Sequence, residues 1–152
     1  MRATAALTSL AALVIFGAAG LLAADQPATN AAADGLPVAT RSTLVQVAVQ
    51  ASKGLDGPHV ATAEVYTTTT GTFWSKTSHE GPQPGPDHDV YVLVLRGRFT
   101  CNRCPVPPGA HAPQGTMAVV VLDRHTLKEL EFGLGGPMDV GALGQARPLR
   151  LP

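Results

Sequence analysis

The side chains best suited to chemistry in this chain are two cysteines, Cys101 and Cys104, at Cys-x-x-Cys spacing. Such a pair forms a disulfide in an oxidising compartment, exchanges disulfides when a helix follows the first cysteine, or supplies two thiolates to zinc. Two free thiols, or a bridge to another molecule, are further alternatives. The residues that surround the pair indicate which chemistry to expect.

The loop that follows the pair favours a structural disulfide. Residues 101–115 contain four prolines, which prevent a helix of useful length and leave few N–H donors for a strand. A redox role is therefore disfavoured. A Cys101–Cys104 bridge closes a short ring, and we expect it to stabilise the fold by ~1–3 kcal/mol. The rigid proline loop is also the predicted contact surface.

Zinc is the weaker alternative at the same place, with Cys101, Cys104 and His111 as ligands. The chain has no second Cys-x-x-Cys motif and no histidine pair at ligand spacing. Further ligands would come from a facing loop expected near the same end of the sheet: His79, His88 and Asp89.

No catalytic residue, resident metal or cofactor is predicted. The carboxylates of Glu64, Glu80, Asp87 and Asp89 form no recognisable pair, and neither a Gly-x-Ser-x-Gly motif nor a phosphate loop occurs. The glycines of residues 133–136 precede a proline rather than a helix, so they indicate a turn. Phe73 and Trp74 are expected to pack rather than to hold a ligand. We therefore expect a protein that is not an enzyme.

Composition excludes one class of partner. Among 152 residues, 11 are basic and 11 acidic, so the formal net charge is zero and no basic cluster serves nucleic acid. Aromatic residues are 5% of the chain, and the core must be built mainly from Val, Leu and Ala. The expected partner is a protein or another component of the cell envelope.

The N-terminal residues 1–24 have the layout of a secretory signal, with Arg2 before a long apolar run. A cleaved signal peptide and an uncleaved anchor over residues 7–24 are both open, because about 20 apolar residues span a bilayer. Either alternative predicts a secreted or extracytoplasmic domain, in contact with a membrane only through this segment. Residues 25–40 lack periodicity and are predicted to be a disordered linker.

Residues 41–136 are predicted to form one α+β domain. Arg41–Lys53 fits both a helix, capped by Ser42 or Thr43, and a strand; capping and length favour the helix. Strands are predicted over residues 59–70, 90–100, 116–123 and 128–133, with 72–74 either extending the first strand or beginning the next element. Residues 76–89 are predicted as a loop, residues 124–127 as a turn, and residues 137–152 as an irregular tail packed through Leu143 and Leu149. One helix should lie on an antiparallel meander.

The order of these elements resembles the small secreted proteins with PepSY-like, cystatin-like cores. In that pattern a strand ends in an aspartate, here Asp123, and a turn leads to a strand that pairs back. A second similarity is to bacterial secreted proteins with a Gly-x-Phe-x-Cys-x-x-Cys-x-x-Pro-Pro-Gly segment, here residues 97–109. The resemblance covers residues 42–136. It implies an extracytoplasmic module that binds or restrains peptidases or other partners, and it carries over no active-site residue.

Overall fold

The computed structural model describes residues 35–56, 60–77 and 86–152. The predicted signal segment 1–24, most of the predicted linker and His79 lie outside these residues. The elements of the described part are the helices α1 (Val38–Gly54) and α2 (Thr70–Thr77), the strands β1 (Val60–Thr69), β2 (Asp89–Thr100), β3 (Gln114–Asp123), β4 (Glu129–Gly135) and β5 (Arg147–Leu149), and a short 3-10 helix (Gly141–Leu143).

The predicted α+β class is confirmed. Strands β1 to β4 form an antiparallel meander and β5 adds to its far side, so the sheet order is β4-β3-β2-β1-β5. All four neighbouring pairs are antiparallel. Among the described residues, no helix is both long enough and apolar enough to cross a membrane.

Both faces of the central strand β2 are buried, as its sequence predicts. Tyr91, Leu93 and Leu95 pack on the face that α1 covers, together with Leu44 and Ala48 of that helix. The alternate valines of β2 pack on the opposite face with side chains of β1, of α2 and of the segment that follows β4: Val90, Val92, Val94, Tyr66, Phe73, Val140 and Leu143. The β2–β3 register shifts between Arg96 and Phe99, around Gly97; a glycine inside a strand often marks such a bulge. Two apolar layers therefore share one sheet.

The ambiguous first segment is a helix, but it begins earlier than predicted. It starts at Val38, directly after Pro37, whose φ of −57° and missing N–H suit a helix start. Neither Ser42 nor Thr43 caps it; the Thr43 hydroxyl lies inside the helix and donates to the Ala39 carbonyl at 3.1 Å. The last residues of the predicted linker thus belong to α1.

The prediction of an irregular tail over residues 137–152 is wrong. This segment contains the 3-10 helix and β5, and Leu149 and Arg147 pair with Ala63 and Val65 of β1. Pro148 has no N–H, which an edge strand tolerates. Leu143 and Leu149 are buried, so the tail completes the sheet and both apolar layers.

Two other boundaries differ from the prediction. Residues 70–77 form α2, which takes in the undecided 72–74 as well as Lys76 and Thr77 of the predicted loop. The last meander strand runs to Gly135, so Gly133 lies inside β4 and Gly135 is its last residue. Both differences shape the site described next.

Candidate functional site

A cleft of about 450 Å³ opens on the sheet face opposite α1. Side chains and backbone of α2, β3, β4 and the segment after β4 line it: Phe73, Trp74, Lys76, Thr77, Met117, Val119, Val121, Glu131, Gly133, Leu134, Gly135, Gly136, Pro137, Met138 and Asp139. Its volume lies within the range of small-ligand sites in proteins. We call this feature the β3–β4 cleft.

The floor of the β3–β4 cleft is built from facing residues of two strands. Met117 pairs with Gly135, Val119 with Gly133, and Val121 with Glu131; directly opposite residues of antiparallel strands share a face. A methyl group placed on either glycine of β4 would meet no atom within 4 Å. The glycines therefore leave open space where other residues would place side chains.

One wall is aromatic. The rings of Phe73 and Trp74 pack edge to face, with centroids 5.1 Å apart and planes inclined by 70°. Phe73 is buried in the apolar layer beneath, and Trp74 is partly buried against it. The expected packing role holds for Phe73. Both aromatic residues also line the cleft, where a ligand could contact them.

Helix α2 is fixed at its N-terminus by an aspartate distant in sequence. The Asp87 carboxylate accepts the Gly71 N–H at 2.7 Å and the Thr70 hydroxyl at 3.0 Å, and the Thr69 hydroxyl accepts the Thr72 N–H at 3.3 Å. The Gly71 N–H, followed by the Thr69 hydroxyl, holds the pKa of Asp87 below its usual range. These bonds satisfy N–H groups that a helix start leaves free and hold the aromatic wall in place.

The opposite wall of the cleft is formed by residues 137–139, which connect β4 to the 3-10 helix. The Asp139 carboxylate accepts the Gly141 N–H at 3.0 Å, and the Leu143 N–H donates to the Val140 carbonyl at 3.0 Å. Val140 and Leu143 are buried in the same apolar layer as Phe73. This segment is therefore anchored by its own packing.

Glu131 is the acidic group on the floor of the cleft. Burial raises the pKa of its carboxyl, and no charge or hydrogen bond contributes to that shift. In the described ranges its carboxylate has no ion pair; the recorded pairs are Arg96–Glu64 and Arg124–Asp89. Lys76 and Asp139 also line the cleft, with opposite charges. An apolar space that holds a partly dehydrated carboxylate suits a ligand with an apolar body and a cationic group.

The turn between β3 and β4 lies at residues 124–127, as predicted. The Asp123 carboxylate accepts the N–H groups of His125 and Thr126, at 3.0 and 2.7 Å, and the Thr126 hydroxyl at 2.8 Å. Leu127 adopts a positive φ of 55°. This network aligns β4 with β3, and so places Glu131 and the two glycines on the cleft floor.

The cysteines form the disulfide that the sequence favours. Cys101 and Cys104 are bonded, with their Cα atoms 5.3 Å apart. Cys101 is buried in the apolar layer under α1, and its N–H donates to the Pro113 carbonyl at 2.8 Å. The bonded sulfurs are not thiolates, so in this state neither supplies the ligand that the zinc alternative with His111 requires.

The expected neighbours of the cysteines lie elsewhere. Asp89 begins β2 and Cys101 directly follows its end, so a strand of at least ~30 Å separates them. His88 belongs to the end of the sheet near α2, where its N–H donates to the Thr70 hydroxyl. The expectation that His88 and Asp89 share a sheet end with the cysteines is wrong. The described ranges contain no group of three or more His, Cys, Asp or Glu residues placed to hold a metal.

No protein-family model, curated protein or solved structure matches this chain. The local geometry therefore carries the functional argument. Sequence reasoning missed the β3–β4 cleft, although one signal for it existed. Glycine inside a strand often marks a close approach by a ligand or another backbone, and Gly133 and Gly135 follow the apolar-polar alternation of β4.

Proposed function

We propose that this protein is an exported, non-enzymatic binding module and that the β3–β4 cleft is its ligand site. The observation that carries the proposal is the cleft itself. An anchored aromatic wall and a glycine floor keep about 450 Å³ of space open over an otherwise packed sheet. Preformed, mostly apolar clefts with a few polar groups are the usual form of a small-ligand site.

Two features support export. The N-terminal pattern is that of a secretory signal or anchor. The Cys101–Cys104 disulfide belongs to an oxidising environment, since the cytosol keeps most thiols reduced.

The PepSY-like resemblance remains part of the proposal. A helix on an antiparallel meander, with a tight turn after Asp123, is the arrangement that the resemblance implies. On this basis the natural ligand is a segment of a protein or another component of the cell envelope. The proline loop after the cysteines is a second surface for that partner, since Val106 at its tip is 39% exposed.

Trp74 makes the proposal directly testable, because it is the chain's single tryptophan and it lines the cleft. The experiment titrates the purified protein with small probes of four classes and follows Trp74 fluorescence. The classes are alkyl amines, aryl amines such as tyramine, aliphatic carboxylates and capped tripeptides. We expect at least one class to produce a saturable change.

The matched control pair is Gly133→Leu and Gly54→Leu. A Cβ atom added at either glycine would have no atom within 4 Å. Gly133 lies on the floor of the cleft, whereas Gly54 is the last residue of α1. The response should vanish in the first variant and persist in the second. The proposal fails if no class produces a saturable change, or if Gly133→Leu responds like the unmodified protein.

A separate measurement tests the thiol or zinc alternative. The intact mass is recorded with and without alkylation, together with the zinc content. A mass two hydrogens below that of the reduced chain, with no alkylation and no bound zinc, is the result expected for the structural disulfide. One zinc per chain would instead establish the metal site.

A further inference from the structure

The outer edge of β4 is open to pairing in a way that the other edge of the sheet is not. Within the described ranges, β4 pairs with β3 alone and extends over seven residues without a proline, with one register shift between Glu129 and Glu131. The opposite edge strand, β5, has three residues with Pro148 at its centre. Short strands, prolines and bulges protect sheet edges against added strands. By length and proline content β5 is the better protected edge, and β4 from Glu131 to Gly135 is the more open one.

The two faces of β4 present different chemistry to an added strand. Glu131, Gly133 and Gly135 face the cleft, whereas Phe132 lies on the other face, opposite Val120. The Phe132 side chain is 37% exposed. A strand paired with β4 would place alternate side chains on these two faces. Its cleft-side residues would meet Glu131, and the others would meet Phe132.

We propose that the natural ligand is an extended peptide segment that pairs with the free edge of β4, places a lysine or arginine beside Glu131 in the β3–β4 cleft, and packs apolar neighbours on Phe132. The inference rests on the proposed function, since it names the occupant of the same cleft. Peptide addition to a sheet edge is a common mode of recognition, in which backbone hydrogen bonds give affinity and alternate side chains give specificity.

The charge and lining of the cleft select a basic side chain. Glu131 has no cationic partner among the described residues. Of the charged residues that line the cleft, Glu131 and Asp139 are acidic and Lys76 is basic, so the cleft carries an excess of negative charge. The hydrocarbon stem of lysine or arginine packs well on aromatic and methionine side chains, which Trp74, Met117 and Met138 provide. A cation near an indole ring gains further attraction.

A second copy of this chain is the less suitable occupant. Pairing of β4 with β4 would add the partner's glutamates instead of a cation, because each strand contains two glutamates and no basic residue. Like charges on neighbouring strands are destabilising.

The test uses two capped peptides, Val-Thr-Val-Lys-Val-Thr-Val and Val-Thr-Val-Glu-Val-Thr-Val. Their palindromic sequences offer the same side chains to a parallel or an antiparallel pairing. Trp74 fluorescence gives the affinity, and amide NMR shifts locate the contact. We expect the lysine peptide to bind at least tenfold more tightly than the glutamate peptide, with the largest shifts in β4. In Glu131→Lys the preference should reverse.

The backbone contribution has its own control. A lysine peptide N-methylated at alternate residues keeps its side chains but loses the N–H donors along one of its two edges. When the methylated edge is the one that faces β4, the peptide should bind at least tenfold more weakly. Both alternations are made, so that one of the two peptides must be affected. Equal binding of all three lysine peptides would overturn strand pairing.

Three outcomes overturn the inference. The first is equal affinity for the lysine and glutamate peptides, and the second is the absence of binding by both. The third is a concentration-dependent dimer that Phe132→Lys abolishes, which would assign the edge to a second copy. If the peptides fail while a small probe still binds in a Gly133-dependent way, the cleft keeps its proposed function and the peptide inference alone is wrong.

Discussion

The two faces of this sheet have nearly the same apolar strands beneath them and differ in what covers them. On one face the 17-residue helix α1 packs along the sheet and buries a continuous layer that includes Leu44, Leu93 and Val120. On the other, the eight-residue helix α2 and the segment after β4 cover β1 and β2 but leave β3 and β4 partly open. The first face therefore serves stability, and the second has room for a ligand.

The comparison shows that the cleft does not result from a lack of apolar side chains. Met117, Val119 and Val121 at its floor are buried residues of β3, like their neighbours on the closed face. The cleft exists because α2 is short and because β4 has glycine where a side chain would fill the space. The difference between the faces can be tested by matched substitutions.

The largest effect is expected from adjacent valines of β3 that face opposite ways. Val120 is fully buried on the closed face, whereas Val119 borders the cleft. Val120→Ala should lower the free energy of unfolding by about 2–3 kcal/mol, because it leaves a cavity in a closed layer. Val119→Ala should cost about 1 kcal/mol, because the space is already open. Urea denaturation measures both; equal losses would contradict the distinction between the faces.

The glycines of the two neighbouring strands provide the second test. A Cβ on Gly115 would lie 2.5 Å from the Gly135 carbonyl oxygen, whereas a Cβ on Gly133 meets nothing. We expect Gly115→Ala to destabilise the protein by about 2 kcal/mol through overpacking. Gly133→Ala should be neutral or slightly stabilising, since alanine restricts the unfolded chain. Thermal unfolding of the two variants should therefore show shifts of very different size.

The disulfide is the third test, because it belongs to the closed face. Cys101 is buried there and Cys104 packs against the same layer. The double variant Cys101→Ala with Cys104→Ala should lower the free energy of unfolding by about 1–3 kcal/mol, as expected for a short closed ring. Binding in the β3–β4 cleft should be unchanged in the folded variant. A loss of cleft binding at temperatures where the variant is folded would show that the two faces are coupled.

The smallest effect is expected from the cleft carboxylate, and it depends on pH. Burial raises the pKa of Glu131 in the folded state, so the folded protein binds this proton more tightly than the unfolded chain. The protonated carboxyl of Glu131 therefore adds to the free energy of unfolding. This contribution is fully present below the pKa of the unfolded chain, about 4.5, and is lost as the pH rises through the higher pKa of the folded protein.

Glu131→Gln should therefore stabilise the protein at pH 7 by about half a kcal/mol and leave it nearly unchanged at pH 4. Lys76 and Asp139, which line the same cleft, are kept unmodified in both proteins. Urea denaturation at the two pH values measures the difference. A gain at pH 4 as large as that at pH 7 would contradict a dehydrated carboxylate.

Local signals in the sequence predicted much of the fold. The apolar residues of β2 predicted a strand buried on both faces, those of β3 predicted a second strong strand, and residues 124–127 were predicted as the turn after Asp123. Length and a cap at Ser42 or Thr43 favoured a helix over a strand at α1, although Pro37 marks its start. These features depend on neighbours in the chain, and for that reason a single sequence reveals them.

The cleft could not be predicted in the same way. Helix α2 is capped by Asp87, a residue 16 positions after Gly71, so its start is not encoded locally. Strand β5 forms because Leu149 pairs with Ala63 of β1, which is distant in sequence, and its own Pro148 argues against a strand. The glycines of β4 suggested an end to that strand, since nothing local shows that β3 continues to pair with them.

By itself, the sequence predicted the α+β class and the strand pair around the cysteines, and it favoured the Cys101–Cys104 disulfide over the redox and zinc alternatives, because these features follow from periodicity, turn chemistry or proximity along the chain. Tertiary structure alone decided where the open cleft lies. It brought Trp74, Glu131 and Met138, which are far apart in sequence, to one cleft. The physical reason is that an open space depends on the length of the covering helix and on missing side chains, and neither can be judged before the layers are assembled.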